Sequence, residues 1–353
     1  MRPVLVAGGA GYIGSHTVQA LQKEHIPVIV LDNLSTGHKE AVCPDYFFAG
    51  DIADTDLVEH IISKYHIRSV IHFAAKSLVS ESLEKPELYF DENTVKSFAF
   101  LAAAVRSGVK QVVFSSTAAV YGVPDQMPIN EQTMLSPINP YGASKRMIEE
   151  YLEWMGRVDK VQWVALRYFN AAGAALDGSI GEDHDVETHL IPLVMKTAMG
   201  RRKKLSVYGS DYPTPDGTCI RDYVHVDDIA YAHMLALQAL AEGMPSQVFN
   251  IGTGNGFSVR EIVEKCQSIT GRTLTLDWEE RRAGDPPILV SDNRAIKDAV
   301  GWVPRNSDLD TILSSAWRWH SSHPKGYGGC QGKTTTAMPV RMPLPIWCCF
   351  PLF

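Results

Sequence analysis

The stretch VLVAGGAGYIG, from Val4 to Gly14, joins a short apolar run to three glycines spaced three residues apart. Val4–Gly8 is typical of a buried β-strand, and the residues from about Gly11 to Glu24 are typical of an α-helix. Glycines at this spacing permit a tight turn, let the backbone approach a pyrophosphate and let the helix pack closely on the strand. The helix N-terminus would offer N–H groups to the phosphates. The stretch therefore predicts a strand–turn–helix unit that binds a dinucleotide.

Asp32 ends the next apolar run, 18 residues after Gly14. A carboxylate at this position can accept hydrogen bonds from both hydroxyls of an adenosine ribose, and it would repel a 2′-phosphate. Asn33 and the loop Leu34–Gly37, which follow it, contain no arginine that could pair with such a phosphate. The pattern therefore favours NAD over NADP as the cofactor.

Six apolar runs alternate with longer segments of helical character in the first half of the chain. Because polar and apolar residues do not alternate within these runs, both faces of each predicted strand should be covered by helices. The pattern predicts an α/β fold with a Rossmann-type doubly wound parallel sheet. The predicted strands are Val4–Gly8, Val28–Asp32, Tyr46–Asp51, Val70–Ala75, Val112–Thr117 and Trp163–Asn170.

The composition changes after Asn170, where glycine, proline and polar residues become more frequent. Helices are predicted at Pro192–Met199 and Val259–Thr270, between loops and shorter strands. We therefore predict an NAD-binding domain of residues 1–170 and a smaller α+β domain of residues 171–329 that binds the substrate.

Two segments depart from this division. The apolar strand Val248–Gly252 is predicted to rejoin the main sheet, so part of the chain near 220–252 is expected to return to the first domain. Residues 330–353 have neither a helical nor a strand period, and we predict that this tail is disordered or loosely packed.

The composition is that of a soluble globular protein, with 353 residues, 45% hydrophobic and 21% charged. A net charge of −7 gives no reason to expect a nucleic-acid partner. No apolar run approaches the roughly 20 residues needed to cross a bilayer, and the N-terminus lacks the features of a secretory signal. Cys43, Cys219 and Cys266 are too far apart for a metal site and are expected to be free thiols. We therefore predict a cytoplasmic protein with no metal and no membrane partner.

The segment PYGASK, Pro140–Lys145, places a lysine four residues after a tyrosine. On a helix the two side chains share one face, so an ammonium group at Lys145 could favour the phenolate of Tyr141. A tyrosine base at neutral pH needs its pKa lowered by roughly three units, or about 4 kcal/mol. Thr117 ends a predicted strand, at the sheet edge where ligands gather in such folds. We therefore predict that Tyr141, Lys145 and Thr117 are catalytic.

These motifs, in this order, resemble those of the extended short-chain dehydrogenase/reductase family, and the second half resembles the UDP-glucose 4-epimerases within it. The likeness runs from about Val4 to Gly328. The segments that carry it are SSTAAVYG (Ser115–Gly122), RYFNAAGA (Arg167–Ala174), THLIPLV (Thr188–Val194), Tyr208–Asp228, FNIGTG (Phe249–Gly254) and RRAGDPP (Arg281–Pro287).

The resemblance also implies roles for individual residues. Those expected to line NAD are Gly8, Gly11, Tyr12, Ile13, Gly14, Asp32, Asn33, Asp51, Ile52, Phe73, Ala74, Ala75, Asn93, Lys145 and Phe169. Those expected to hold the UDP-sugar are Thr117, Tyr141, Asn170, His189, Leu190, Ser206, Tyr208, Arg221, Arg282, Asp285 and Leu289.

Chemistry supports some of these roles, and three positions depart from the family pattern. Guanidinium groups bind phosphates bidentately, so Arg221 and Arg282 suit a diphosphate. Thr117 stands where serine is frequent, and His189 where asparagine is common. Ser77 replaces a lysine, with Lys76 one position earlier.

The resemblance implies that the protein interconverts UDP-galactose and UDP-glucose, a step of galactose metabolism, through a 4-keto intermediate. Tyr141 would remove the proton of the 4-hydroxyl while a hydride passes to tightly bound NAD. Leu289 would border the hexose, and its intermediate size is expected to allow some turnover of UDP-GlcNAc and UDP-GalNAc. The resemblance also implies a homodimer through helices near Asp91–Arg106 and Tyr141–Met155.

Three alternatives remain at this stage. A UDP-glucuronate 4-epimerase would want a basic pocket for the sugar carboxylate. A 4,6-dehydratase would need an extra acid and base, yet Ala118 and Ala119 stand where such enzymes carry Asp-Glu. A non-catalytic NAD-binding protein would have no need for the tyrosine, lysine and threonine together.

Overall fold

The computed structural model describes residues 2–282 and 285–329. Its strands are β1 Val4–Ala7, β2 Val28–Asp32, β3 Tyr46–Ala49, β4 Ser69–His72, β5 Gln111–Thr117, β6 Gln162–Tyr168, β7 Asn170–Ala172, β8 Leu205–Tyr208, β9 Ile220–Arg221, β10 Tyr223–His225, β11 Gln247–Ile251, β12 Phe257–Ser258, β13 Leu276–Glu279 and β14 Ile288–Leu289. Its helices are α1 Tyr12–Lys23, α2 Thr55–Tyr65, α3 Val79–Glu84, α4 Pro86–Tyr89, α5 Lys96–Arg106, α6 Pro140–Val158, α7 Leu190–Ala198, α8 Val226–Ala241, α9 Val259–Thr270, α10 Arg294–Val300 and α11 Leu309–Ser322. Phe90–Val95 is a π-helical turn, and Lys39–Ala41, Ala118–Tyr121 and Gly326–Gly329 are 3₁₀ turns.

A seven-stranded parallel sheet forms the centre, in the order β11-β6-β5-β4-β1-β2-β3. One face packs on α2, α5 and α6, and the other packs on α1, α8 and α10. This doubly wound arrangement confirms the predicted α/β fold. Both faces of the inner strands are covered as expected, whereas β3 lies at the edge of the sheet and leaves Tyr46 51% exposed.

Several predicted strands end earlier in the structure than in the sequence pattern. β4 stops at His72, because the backbone N–H groups of Phe73 and Ala74 both turn to the carbonyl oxygen of Ala7. β6 stops at Tyr168, because the N–H of Phe169 bonds to Ile251 before the chain enters a separate strand, β7. The apolar residues beyond each strand end therefore line the edge of the sheet rather than extend it.

The remaining strands form three small sheets, β7 with β10, β8 with β13, and β9 with β12 and β14. Their apolar residues pack with α7, α9 and α11 in a separate core. As predicted for VFNIG, β11 returns to the main sheet and pairs in parallel with β6, with Phe249 opposite Leu166. The chain thus leaves the main sheet after β6 and comes back to it.

Among the described helices, none is long and apolar enough to cross a membrane. Cys43, Cys219 and Cys266 are free thiols. The prediction of a disordered tail at 330–353 lies outside the described residues.

Candidate active site

The three glycines of the first turn, Gly8, Gly11 and Gly14, fall into two roles. Gly8 has a φ of +78°, and a Cβ there would lie 2.4 Å from the backbone N of Ala74. A Cβ on Gly14 would lie 2.2 Å from the carbonyl oxygen of Gly8. A Cβ on Gly11 would meet only that same oxygen, at an ordinary 3.5 Å. Gly8 and Gly14 are therefore required by the packing, whereas Gly11 leaves an open backbone surface that a pyrophosphate could approach.

Asp32 lies at the end of β2 beside this turn. Its Oδ2 accepts the N–H of Ala10 and its Oδ1 accepts the N–H of Leu34, both at 2.8 Å. Burial raises the pKa of Asp32, although the two backbone hydrogen bonds oppose the shift. The carboxylate is thus fixed in direction, with lone pairs left for the two hydroxyls of a ribose.

A second acidic residue, Asp51, follows β3. Its Oδ2 accepts hydrogen bonds from Asn33 at 3.1 Å and from Lys96 at 2.9 Å, and Lys96 also pairs with Glu92 at 2.8 Å. Partial burial acts to raise the pKa of Asp51, but the N–H of Ala53, which donates to Oδ1 at 2.9 Å, together with Lys96 and Asn33 lowers it. Lys96 and Glu92 line the same cavity as Asp32. Neither residue was predicted to belong to the site, because no motif marks them.

Thr117 and Tyr141 are brought together by the close approach of two chain segments. Asn139 caps α6 by accepting the N–H of Gly142 at 2.8 Å. A Cβ on Gly142 would lie 2.5 Å from the carbonyl oxygen of Ala119, so the helix start can touch the turn after β5 only because this residue is glycine. Tyr141 follows directly behind Asn139 and Pro140 and forms a hydrogen bond with Thr117.

The electrostatics of the catalytic candidates differ from the sequence-based expectation. Burial raises the pKa of Tyr141, and the hydrogen bond with Thr117 only partly offsets this. Lys145 is buried, donates from Nζ to the carbonyl oxygen of Ser115 at 2.8 Å and lies 4.9 Å above the ring of Phe114. Burial lowers the pKa of Lys145 to about 7, against the opposing charge of Glu149. In the protein alone, desolvation therefore dominates, and Lys145 by itself does not supply the lowering of the pKa that a tyrosine base needs.

A buried ion pair beneath these residues was missed. Glu149 is one helical turn after Lys145, and its carboxylate accepts from Arg167 Nε at 3.0 Å and from Ser116 Oγ at 2.5 Å. Arg167 also donates to the hydroxyl of Tyr121 at 2.8 Å. Both charged side chains are 4% exposed. The spacing of Glu149 from Lys145 on one helix face was the signal that could have revealed it.

A single cavity of about 1330 Å³ joins the glycine turn to the smaller sheets. Ligand pockets are usually about 300–1,000 Å³, so this one has room for two nucleotides. Of the predicted site residues, all but Asn93 line it. Asn93 is fully buried behind the wall, where it bonds to both backbone groups of Lys76 and to Ser144 Oγ. Asn93 thus fixes the loop at Lys76 and Ser77, two residues that do line the cavity.

The far end of the cavity carries the predicted cationic residues. The guanidinium of Arg221 forms an ion pair with Asp285, and that of Arg282 lies 4.0 Å above the ring of Tyr208. Because Tyr208 is already stacked by an arginine, a nucleotide base that stacked on its ring would have to compete with this contact. Leu289 lines the same part of the cavity.

His189 does not stand free beside these residues. Its Nδ1 bonds to Glu182, and the pKa of His189 is raised to about 9 by the charge and hydrogen bond of Glu182 and the charge of Glu187, against desolvation. Asn170, also predicted to bind substrate, donates from Nδ2 to the backbone oxygen of Asp222 at 3.0 Å. Both residues line the cavity, but each already has a protein partner.

Comparison with known proteins gives consistent results. Residues 4–252 match the model of the NAD dependent epimerase/dehydratase family. The chain is 49% identical over 327 residues to a UDP-glucose 4-epimerase of Streptococcus mutans, covering 92% of this chain and 98% of that protein. A UDP-glucose 4-epimerase of Brucella ovis solved with NAD has a TM-score of 0.88 at 47% identity, with 90% of this chain and 98% of that chain covered. A UDP-Glc/GlcNAc 4-epimerase of Campylobacter jejuni has a TM-score of 0.79 at 40% identity, covering 91% of this chain and all of that chain.

Proposed function

Because the chain belongs to the NAD dependent epimerase/dehydratase family, we propose that it acts as a UDP-glucose 4-epimerase, an isomerase that converts UDP-galactose to UDP-glucose and back. The observation that carries this proposal is the single cavity, which joins Gly11 and Asp32 to Thr117 and Tyr141 and to the two arginines beyond. One bound nucleotide can thus meet another at the tyrosine.

NAD is the cofactor that these residues fit. The open backbone at Gly11 would hold its pyrophosphate and the fixed carboxylate of Asp32 its ribose hydroxyls. When bound, NAD supplies a reversible hydride acceptor and, in its oxidised form, a positive ring charge. That charge is what Tyr141 needs, because the protein alone raises its pKa. We propose residues 1–170 as the cofactor domain and 171–329 as the substrate domain, with β11 returned to the first.

The reaction follows from the groups around the tyrosine. Tyr141 takes the proton of the sugar 4-hydroxyl while the hydride leaves C4, and Thr117 holds the same oxygen by a hydrogen bond. Lys145, fixed by its bond to the carbonyl oxygen of Ser115, lies on the same helix face one turn after the tyrosine, where its protonated form favours the phenolate. The resulting 4-keto sugar turns about its diphosphate, which Arg221 and Arg282 bind. Return of the hydride to the opposite face and of the proton to the oxygen gives the other epimer with no net redox change.

The site lacks the additional acid and base that a 4,6-dehydratase would need. Ala118 and Ala119 line the cavity directly after Thr117 and offer no ionisable side chain for removing a C5 proton. Product analysis after incubation with UDP-galactose separates the rivals, since a dehydratase would release a 4-keto-6-deoxy sugar. A glucuronate epimerase would leave UDP-galactose unchanged.

The decisive variant is Tyr141→Phe. Removing the hydroxyl should lower turnover of UDP-galactose by at least about 10²–10⁴-fold, the usual contribution of a general base, while the bound NAD remains. Thr188→Ser, a cavity residue outside the proposed chemistry, is the matched control and should keep most activity. Full activity of Tyr141→Phe would refute the assignment of the base.

Leu289 supports a wider substrate range. It lines the cavity near Asp285, and its side chain is smaller than an aromatic one. We propose that UDP-GlcNAc and UDP-GalNAc are also turned over. Leu289→Tyr should reduce this activity more than that on UDP-glucose, and equal ratios in both proteins would remove Leu289 from the argument.

We further propose a homodimer located in the cytoplasm. Met147, Trp154 and Val158 repeat along one face of α6 at helical spacing, and Trp154 and Val158 are 60% and 71% exposed. An apolar stripe of this kind is typical of a protein–protein contact. Within the described residues, Cys43, Cys219 and Cys266 are free thiols, which supports a reducing compartment.

A further inference from the structure

Four ionisable side chains meet on the segment between β7 and α7. Glu182, His184, Glu187 and His189 each place one ligand atom within 4.8 Å of all the others. We refer to these four residues as the 182–189 cluster. None of the chemistry proposed above uses the first three of them.

The spacing within the 182–189 cluster is close to that of a metal site. Oε1 of Glu182 bonds to His189 Nδ1 and lies 3.4 Å from His184 Nδ1. His184 Nδ1 is 3.7 Å from Oε2 of Glu187, and His189 Nδ1 is 3.8 Å from Oε1 of Glu187. A tetrahedral zinc ion with bonds of about 2.0–2.2 Å sets its ligand atoms roughly 3.3–3.6 Å apart. The three longer contacts are within a few tenths of an ångström of that spacing, whereas the hydrogen-bonded pair of Glu182 and His189 would have to open by about 1 Å to admit the ion.

Glu187 provides an independent indication of a ligand. Its Oε1 accepts the backbone N–H groups of Thr188 and His189, both at 2.8 Å. Its Oε2 is buried without a hydrogen-bond partner, as is Nδ1 of His184, and the side chain of Glu187 is only 4% exposed. A buried polar atom without a hydrogen bond is costly, by about 1–3 kcal/mol for a neutral group, and the contact of 3.7 Å between these two atoms offsets only part of that cost. A cation bound between them would satisfy both.

The backbone that carries the cluster is held in place. The Tyr327 hydroxyl accepts the N–H of Gly181 at 3.1 Å, and the N–H of Tyr327 donates to Asp183 Oδ2 at 2.9 Å. The ring of His38 also bonds to the backbone oxygen of Asp183, at 3.0 Å. Glu182, between Gly181 and Asp183, is 3% exposed. Ligands on an anchored backbone need little reorganisation to bind a metal.

We propose that the 182–189 cluster is a binding site for a divalent transition metal, with Zn²⁺ as the best match. Two imidazoles and two carboxylates form a donor set that suits zinc in tetrahedral geometry. Glu187, His184 and His189 also line the cavity, so the metal would stiffen the wall that leads into α7. The competing explanation is a pair of histidine–glutamate ion pairs that only hold the loop.

The test is Zn²⁺ titration of the chelator-treated, NAD-containing enzyme by calorimetry. We expect one Zn²⁺ per chain with micromolar or tighter affinity. His184→Ala and Glu187→Gln should each weaken it by more than the roughly 10–100-fold typical of outer-shell changes. His60→Gln, on an exposed turn of α2, is the matched control and should bind like the unaltered protein.

Two further measurements keep the test decisive. Zn²⁺ should raise the unfolding temperature of the unaltered protein and of His60→Gln but not that of Glu187→Gln. The unfolding transition measured without Zn²⁺ shows whether each variant is folded. Loading with Co²⁺ should give no thiolate charge-transfer band, because none of the four ligands is a cysteine. The proposal would be overturned by an absence of stoichiometric binding, by a ligand variant that binds Zn²⁺ as tightly as the unaltered protein, or by a thiolate band.

Discussion

Alanine at position 11 and alanine at position 14 should affect this protein in opposite ways. Both positions are glycine in the same turn, and both lie close to the carbonyl oxygen of Gly8. We expect Gly11→Ala to fold normally but to lose NAD affinity, and Gly14→Ala to lose stability. The comparison separates the glycine that the cofactor needs from the glycine that the fold needs.

The magnitudes follow from the distances. A Cβ at position 14 would lie 2.2 Å from the Gly8 oxygen and 2.9 Å from Gly9 Cα, well inside the optimum of about 3.5–4.0 Å. Such overpacking costs about 1–3 kcal/mol, or more where backbone must move. Gly11 has φ −73° and ψ 173°, which alanine adopts freely, and its Cβ would sit at 3.5 Å. Gly11→Ala should therefore be neutral or gain about 0.4–1 kcal/mol.

The same added methyl at position 11 would intrude where the pyrophosphate approaches the backbone. If the overpacking cost of about 1–3 kcal/mol falls on the cofactor instead of the fold, NAD affinity drops by about 5- to 150-fold. The assays are urea unfolding of the NAD-free proteins and the NAD content per chain after purification. Full NAD content in Gly11→Ala, or unaltered unfolding of Gly14→Ala, would refute the reasoning.

Three other substitutions probe other parts of the structure. Glu149→Gln leaves Arg167 buried without its charged partner, so the free energy of unfolding in urea should fall by about 3–5 kcal/mol. The control Glu150→Gln, in an exposed ion pair, should lower it by under about 1 kcal/mol, and equal losses in the two variants would contradict the prediction. Because burial raises the pKa of Asp32, this carboxylate should be protonated at a higher pH than an exposed aspartate, and NAD binding should weaken as the pH falls. Asp32→Asn should bind NAD about tenfold or more weakly at neutral pH, lose this pH dependence and accept NADP better; an Asp32→Asn protein with the pH profile of the unaltered protein would contradict the prediction. Trp154→Glu should give a monomer by light scattering, and a dimer of unchanged stability would count against the proposed interface.

The main sheet could be predicted because its signals are local. A buried parallel strand needs an uninterrupted apolar run, and a tight turn before a helix needs glycine. Consecutive residues are therefore enough to predict β1, β2 and the first turn. The order of the strands and the end of β4 at His72 depend on pairing between distant segments. No single stretch of the sequence determines that pairing.

The site was predictable where spacing on one element places the residues together. Tyr141 and Lys145 share a helix, and their position beside Thr117 follows from the ends of neighbouring elements. The pKa directions were not predictable, because they depend on how deeply the folded chain buries Lys145. The ion pair of Glu149 with Arg167 joins a helix to a strand, and only the fold brings these charges into contact.

The chain cannot be cut into its two halves at residue 170. β6 would then lose its pairing with β11 and become an edge strand of the sheet. Val164 and Leu166, which β11 and α8 now cover, would be exposed to solvent. Exposed edges of this kind recruit other chains, so a shortened gene that ends there should yield aggregates. The smallest well-behaved fragment that keeps the glycine turn must reach Ile251, and shuffling of the two halves between homologues has to respect that limit.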